Sequence, residues 1–516
     1  MTSRHIAVVG GGPGGLYVAR LIKRAKPEWR VTVYEHNAAA DTFGFGVGLT
    51  ETTLRALAAA DPESAETIQA AGHRGGRMDM LVGDAFRMAG SGADIAIGRA
   101  TLLGLLRAHA EDAGVRIVMR HAELTDVDAD VVVAADGVRS RIRDKLGVEL
   151  AAEVRVDDVR YLWCGARFAL PAATFTAATT DYGTFVAHSY PYDDEHSTFL
   201  IETDEATWRA AGFDREVATG ESDEESLDFL SAAFAQVLGG SRLLGNATRW
   251  QQFATVRAGR WSHGNVVLLG DAAHTAHYSI GSGTKLALED AIALADAVTG
   301  IPDLAEAFAE YERRRRPRVE RLQAIAERSQ QWWKDFPRRI GLPAAVLVTS
   351  FMTRSGNVSV EQFASSRPEA VIAAAVGLGI DVTPADAADP ERLAAAVLGA
   401  PLPAAGTSAL PRRLVETADR VGWCAENGVS VALFHLPLTV TAQVALEAIK
   451  ELVADGADGA WLTGPDTPAA VHARLGLAER VRLELAVPVG IDLPRALRSV
   501  AVGAVLSGRT DLVHLT

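Results

Sequence analysis

The chain opens on a short apolar run rich in β-branched residues, "HIAVVG", and then breaks into glycines at Gly10, Gly11, Gly12, Gly14 and Gly15. A helical stretch, "LYVARLIKRA", and a second strand-like run, "RVTVYEH", follow. Such a succession predicts a β-turn-α-β unit. Further on, "RIVMRH", "DVVVAADG" and "GNVVLLGD" read as buried strands, and the spacing predicts helices over 100–113, 283–298 and 303–333. Strands alternating with helices imply a parallel sheet. Between about 160 and 260 the pattern changes: "YGTFVAHSYPY" and "HSTFLIETD" alternate apolar and polar residues and are aromatic-rich, as antiparallel strands with one covered face are. From about 375 the chain turns Ala- and Pro-rich, "PADAADPERLAAAVLGAPLPAAG", a helical connector and linker. A second series of β/α units, from "GVSVALFH" to "VAVGAVLSGRTDLVHL", closes the chain.

At 516 residues the chain is too long for one ordinary domain, and its 48% hydrophobic content supports substantial cores. A net charge of −14 argues against nucleic acid as the main partner. Two distant cysteines, Cys164 and Cys424, make neither a disulfide framework nor a zinc pattern, and fit a reducing cytoplasm. No signal-peptide layout precedes the first strand. The longest apolar run, 340–352, is too short to span a membrane and contains Pro343. A soluble, cytoplasmic protein is expected.

Two stretches carry chemistry. Gly10-x-Gly12-x-x-Gly15, with Pro13 and Gly14 inside it, lies between a strand and a helix, so its turn can approach a pyrophosphate while the helix N-terminus supplies N–H groups. Glu35 ends the second strand, twenty residues on, where an acid can accept hydrogen bonds from ribose hydroxyls. This unit predicts an ADP moiety without choosing between FAD and NAD. The second stretch is "GDAAHTAHYSIGSGTKLALEDA", 270–291. A metal reading would use His274 and His277, but no third ligand accompanies them, and no metal is expected. The alternative puts Asp271 at a strand end to accept from ribitol hydroxyls. Gly281, Gly283 and Thr284 then open a helix facing a ring's polar edge or a phosphate.

In order, "GGGPGGL", "VVVAADGVRSRIR" (with Asp136 and Gly137) and "GDAAH…GSGTKLALEDA" resemble the three motifs of class A flavoprotein monooxygenases of the para-hydroxybenzoate hydroxylase type. Arg99 in "IGRATLLGLL" sits where that family places a flavin-contacting arginine, and "DTFGFGVGLTETTLRAL", containing Val47, resembles the loop bordering the isoalloxazine. One departure is that Tyr278 and Ser279 stand where many members carry a proline. "HYSIGSGTKLALEDA", "HSTFLIETDEATWRAAG" and "FMTRSGNVSVEQF" are similar to the aryl-CoA members, the salicylyl-CoA 5-hydroxylase and 2-aminobenzoyl-CoA monooxygenase/reductase group. The violacein-pathway tryptophan hydroxylase is a more distant relative. The resemblance covers about 1–370.

The resemblance implies an α/β fold: a Rossmann-like FAD-binding domain over 1–160 and 255–330, and an antiparallel substrate-binding sheet over 161–254. A helical region and linker over 331–404 and a C-terminal α/β domain over 405–516 complete it. It also implies non-covalent FAD, transient NAD(P)H as co-substrate, O2, and oxygen delivery from a flavin C4a-hydroperoxide to an electron-rich ring by hydroxylation or epoxidation. The expected substrate is a small aromatic molecule, an ortho-hydroxy- or ortho-aminobenzoyl-CoA thioester, with a free acid or a natural-product tailoring role as alternatives. His188, Tyr190 and Tyr192, with His277 and Tyr278, are the candidates to hydrogen-bond its ring substituent. The basic run at 312–321 reads as a solvated helix face or a holder of CoA phosphates. Halogenation would want a WxWxIP stretch, and "QQWWKDFP" is the nearest approach. A flavin-binding protein without oxygenase activity is the remaining class. The C-terminal domain resembles the last strands of an old-yellow-enzyme TIM barrel. Only about 110 residues remain for it before Thr516, too few for a closed barrel, which predicts a remnant without FMN, kept for packing or for homodimerisation.

Overall fold

The structure, a computed structural model, describes residues 3–36, 45–90, 92–403, 409–437 and 439–516. Residues 41–44, the start of the loop expected to border the isoalloxazine, lie outside these. The chain divides into two compact units, 1–79 with 89–334, and 80–88 with 335–516.

The first unit holds a sheet ordered Ser262–His263, Val266–Leu268, Val131–Ala134, His5–Val9, Arg30–Glu35 and Arg116–Met119. Every neighbouring pair is parallel except the short hairpin at the first edge. The apolar runs read from the sequence are its central strands. Ile6, Val8, Val31, Val33, Val131 and Val133 are buried, as strands covered on both faces require. Helices Pro13–Ala25, Arg99–Asp112 and Gly283–Gly300 lie within two residues of the expected spans where these were given. The expected helix over 303–333 is one 31-residue element, Leu304–Lys334, carrying Pro317 inside it.

The antiparallel sheet of this unit contains Ala152–Ala166 between Leu243–Leu244 and Ser197–Thr203, then Gly183–Pro191 and Ala173–Thr180, with Gln251–Ala258 also paired to the long first strand. Register fixes which side chains share a face. Tyr161 opposes Glu202, Trp163 opposes Leu200, His188 opposes Leu200 and Tyr190 opposes Thr198. The alternate residues Leu162, Cys164, Phe185, Phe199 and Ile201 enter an apolar core beneath helix Glu224–Ala233.

The second unit combines a helical region with four parallel strands in chain order, Val431–His435, Gly459–Thr463, Val489–Leu493 and Leu512–Leu515. It also takes residues 80–88, which the sequence reading left in the first domain. Two strands turn there at Gly83 (φ +71°), Phe86 packs on Leu342, Val346 and Ala374, and the Asp84 carboxylate accepts from the Ala344 N–H at 2.8 Å. Arg339 and Glu479 form a buried two-pronged pair, both contacts 2.6 Å, joining two helices.

Leaving that glutamate buried without its main partner should be costly. Arg339→Ala is expected to destabilise the second unit by about 3–5 kcal/mol in urea unfolding, and Arg339→Lys, which keeps a cation beside Glu479, to lose less. Equal loss in both would assign the effect to packing.

Candidate functional site

The glycine turn is set by how closely backbone passes backbone. A Cβ at Gly10 (φ +109°) would sit 2.1 Å from the Ala135 carbonyl oxygen, and one at Gly15 would sit 2.0 Å from the Gly10 oxygen. Gly14 is packed against Leu269 and Ala287, whereas a Cβ at Gly12 would meet nothing within 4 Å. Three glycines are therefore required by the protein's own packing, and the fourth faces open space where another group can approach. Pro13 starts the helix at a position whose missing N–H costs nothing, and no acid occupies its first turn. Glu35 accepts from the Gly11 N–H at 2.7 Å and from the His36 N–H at 2.7 Å, so it braces the turn.

Around the turn opens a cavity of about 1270 Å³, larger than the usual small-molecule pocket. Its wall includes Gly12, Pro13, Gly14, Gly15, Val47, Arg99, Asp271, Gly281, Gly283 and Thr284 from the cofactor candidates, and His188, Tyr190 and Tyr278 from the substrate candidates. Gly10, Glu35, Asp136, Tyr192 and His277 are not on it. Asp136 uses one carboxylate oxygen to cap the helix starting at Arg141, accepting from the Arg141 and Ile142 N–H groups. His277 turns away, its ring against Tyr278 and Phe253, and its Nδ1 accepts from the Ser279 N–H at 3.3 Å. Burial holds its pKa down at about 3, so the imidazole is neutral, and it lies off the cavity wall on which the substrate contact was expected. Tyr192 stacks on His196, and its ring lies where a Gly46 side chain would be.

Two features fit a long, doubly anchored anionic cofactor. The N-termini of the helices opened by Pro13 and Gly283 both border the cavity, neither has an acid in its first turn, and the Ser282 hydroxyl before the second has no partner among the described residues. Arg99 also reaches the wall with its buried Nε unpartnered among the described residues, and burial lowers its pKa. Asp271 lies near enough to oppose that shift. Its own carboxyl is raised by the surrounding protein, against the pull of His274 and Arg99. The Asp271 turn is held from behind. The buried Asp290 carboxylate receives Gly270 N–H, His274 Nε2 at 2.8 Å and Arg315 Nε at 2.7 Å. His274 is thus committed to Asp290. The basic run is not the uniformly solvated face expected, because Arg315 is 2% exposed and Arg316 binds the Ala258 and Gly259 carbonyls. Arg313 and Arg314 do face solvent, paired to Glu310.

The far wall is aromatic. His188 stacks on Phe175 (centroids 4.5 Å apart) and Trp333 (6.2 Å). Tyr190 donates to the Gly46 carbonyl at 2.7 Å, which commits its hydroxyl to the chain. Tyr278 packs on Tyr161 at 4.8 Å, and its buried hydroxyl closes no well-formed hydrogen bond. Trp333, Phe175 and Tyr161 were not singled out in the sequence. Only the alternation of "DYGTFVAHSYPY" pointed to this face.

A family model described as an FAD binding domain matches residues 80–326. The salicyloyl-CoA 5-hydroxylase of a Streptomyces species is 42% identical over 345 residues, 65% of this chain and 66% of that enzyme. The 3-hydroxy-4-methyl-anthranilyl-(aryl-carrier protein) 5-monooxygenase of Streptosporangium sibiricum is 38% identical over 375 residues, 71% of this chain and 99% of that protein. The chain belongs to the class A FAD-dependent monooxygenases. A crystal structure of 2-methyl-3-hydroxypyridine-5-carboxylic acid oxygenase shares the fold, with a TM-score of 0.54 at 20% identity over 67% of this chain and 96% of that one. The protein is accordingly an FAD-dependent aromatic monooxygenase. No helix among the described residues is long and apolar enough to cross a membrane.

For this monooxygenase, the glycines separate cofactor binding from folding. Gly12→Ala should leave the apoprotein's melting temperature unchanged and lower FAD content, read by absorbance, whereas Gly15→Ala should yield little folded protein. Asp271→Ala is expected to weaken FAD retention by roughly 1–3 kcal/mol, the cost of a buried partner left unpaired. Full flavin content in that variant would remove Asp271 from the cofactor site.

Proposed function

We propose that the enzyme oxygenates the ring of an ortho-hydroxy- or ortho-aminobenzoyl thioester, with NAD(P)H and O2 as co-substrates. The observation that carries this reading is chemical agreement between the two relatives at 42% and 38% identity. By their names, one acts on salicyloyl-CoA and the other on an anthranilyl group held by an aryl-carrier protein. Their carriers differ; an ortho-substituted benzoyl thioester, modified at position 5, is common to both names.

Bound FAD, once reduced by NAD(P)H, supplies oxygen from O2 in an electrophilic form. The protein's part is placement and charge. The N-terminal turns of the helices opened by Pro13 and Gly283 offer N–H groups to the cofactor's phosphates and ring edge. Arg99 brings an unpaired buried donor to the same space. Phe175 and His188, supported by their stacking with Trp333, give a flat wall against which an aromatic ring can be oriented and water excluded. The Tyr278 hydroxyl is available to the ring substituent, whose lone pair enriches the para carbon toward an electrophile. The second unit, with four parallel strands where a closed barrel has eight, is read as the remnant of a reductase barrel that carries no FMN.

Incubation of the holoenzyme with NAD(P)H, O2 and a panel of aryl-CoA esters, carrier-protein thioesters and free acids, analysed by mass spectrometry, tests the reading. A product heavier by one oxygen is expected from an ortho-substituted thioester. Turnover of the free acids alone would overturn the thioester assignment, and NAD(P)H oxidation unaffected by every aromatic compound would overturn oxygenase function. Extracted flavin should be FAD only, and FMN stoichiometric with protein would refute the remnant reading.

A further inference from the structure

Gly46 begins the short strand Gly46–Leu49, in the stretch expected to border the isoalloxazine. The strand is the edge of a three-stranded sheet, where its neighbour is Ile95–Gly98. Gly46 faces Gly98, and the Arg99 N–H donates to the Phe45 carbonyl at 2.6 Å. Residues facing each other in this kind of antiparallel pair exchange no hydrogen bond, so the N–H and C=O of Gly46 point outward. An edge strand leaves such groups to water or to another strand. Here two side chains take them. Thr198 Oγ1 accepts from the Gly46 N–H at 2.7 Å, and Tyr190 Oη donates to the Gly46 C=O at 2.7 Å. Tyr190 and Thr198 oppose each other on neighbouring strands of the antiparallel sheet. That sheet therefore grips the peptide on either side of Gly46.

Two steric contacts complete the clamp. A Cβ at Gly46 would lie 2.6 Å from Tyr192 Cβ, so no side chain fits there. The Phe45 ring covers Gly165, which stands opposite Thr198 on the long strand. Burial pushes the Tyr190 hydroxyl up to about 12, which keeps it a donor at neutral pH.

The clamp joins two parts of the cavity. On one side are Val47, next in the chain, and Arg99, tied through its N–H to Phe45; both line the cavity among the cofactor candidates. On the other, His188 and Leu200 stand two residues from Tyr190 and Thr198 on the same strand faces, and both line the cavity. Two residues along a strand span about 7 Å. Clamp and ring wall are thus one strand repeat apart. A hydroxyl needed only to satisfy an edge strand could come from any element, yet both come from the strands that carry the ring wall.

We propose that Tyr190 and Thr198 are positioning residues that hold the cofactor-bordering loop at a set distance from the ring wall, and so decide how much oxygen reaches the ring. Coupled turnover converts an aromatic C–H, O2, NAD(P)H and a proton into C–OH, NAD(P)+ and water. Where ring and cofactor are out of register, O2, NAD(P)H and a proton give NAD(P)+ and hydrogen peroxide. Neither side chain touches the reacting atoms. The inference rests on the proposed seat of FAD and, for the yield, on the proposed thioester substrate.

Tyr190→Phe removes the donor and Thr198→Val the acceptor, both with little change of shape, while Thr198→Ser keeps the acceptor. The first readout needs no turnover: quenching by iodide of the flavin fluorescence of the FAD-loaded enzyme. The quenching constant should rise about twofold in Tyr190→Phe and in Thr198→Val at unchanged FAD content, and return toward the wild-type value in Thr198→Ser. The second is the yield of oxygenated product per NAD(P)H oxidised with salicyloyl-CoA. It should fall about fivefold in the first two variants, with hydrogen peroxide making up the difference and KM for the thioester within about twofold. Wild-type quenching in both Tyr190→Phe and Thr198→Val would overturn the proposal, as would a rise in Thr198→Ser equal to that in Thr198→Val. If no thioester is oxygenated but quenching rises as expected, the substrate reading fails and the clamp stands. If salicyloyl-CoA is oxygenated with an unchanged yield in both variants, the positioning role alone fails.

Discussion

The first unit depends on a contact in which two stretches of backbone come closer than any side chain permits. Gly10 and Gly15 let the first strand, the helix it enters and the chain just past the strand Val131–Ala134 converge, with a Cβ excluded at about 2 Å from carbonyl oxygens on both sides. That convergence points the helix N-terminus into the cavity. The same crowding brings Leu269 and Ala287 against Gly14, which fixes the Asp271 turn relative to the glycine turn. One steric condition therefore sets the spacing of both cofactor anchors.

Behind the second anchor, a single buried carboxylate does what several loops would otherwise have to do. Asp290 gathers a backbone N–H, an imidazole and a guanidinium, and its charge is balanced by Arg315. A charge so buried is tolerable because each oxygen is hydrogen-bonded and a cation lies beside it. The arrangement also gives His274, for which the sequence offered only a metal reading lacking a third ligand, a place as a strut in the fold.

Much of the first unit was legible in the chain because its signals are local. Apolar runs broken by glycines, an acid at a strand end and a helix following "GSGTK" are properties of a few neighbouring residues. What was not legible depends on contacts distant in sequence. Arg315 lies in a run of arginines, and nothing within that run distinguishes the one that meets Asp290. His277 and Tyr278 are adjacent and equally suited to a substrate, yet the turn buries the first and leaves the second on the cavity wall. Glu202 reads as the polar member of an alternating strand, because alternation reveals which residues share a face but not that the face is enclosed. The transfer of residues 80–88 to the second unit is likewise decided by Asp84 and Phe86 meeting residues some 260 positions away.

The helix Leu304–Lys334 gives these parts a common mechanical element. At 31 residues it is about 46 Å long, and it holds Arg315 against the cofactor turn near its middle and Trp333 and Lys334 at its far end. Pro317 removes one backbone hydrogen bond just after Arg315, so the helix has a point of bending between its grip on Asp290 and its aromatic end. One helix thus backs both the cofactor turn and the aromatic side chains, with a single built-in point of give between them.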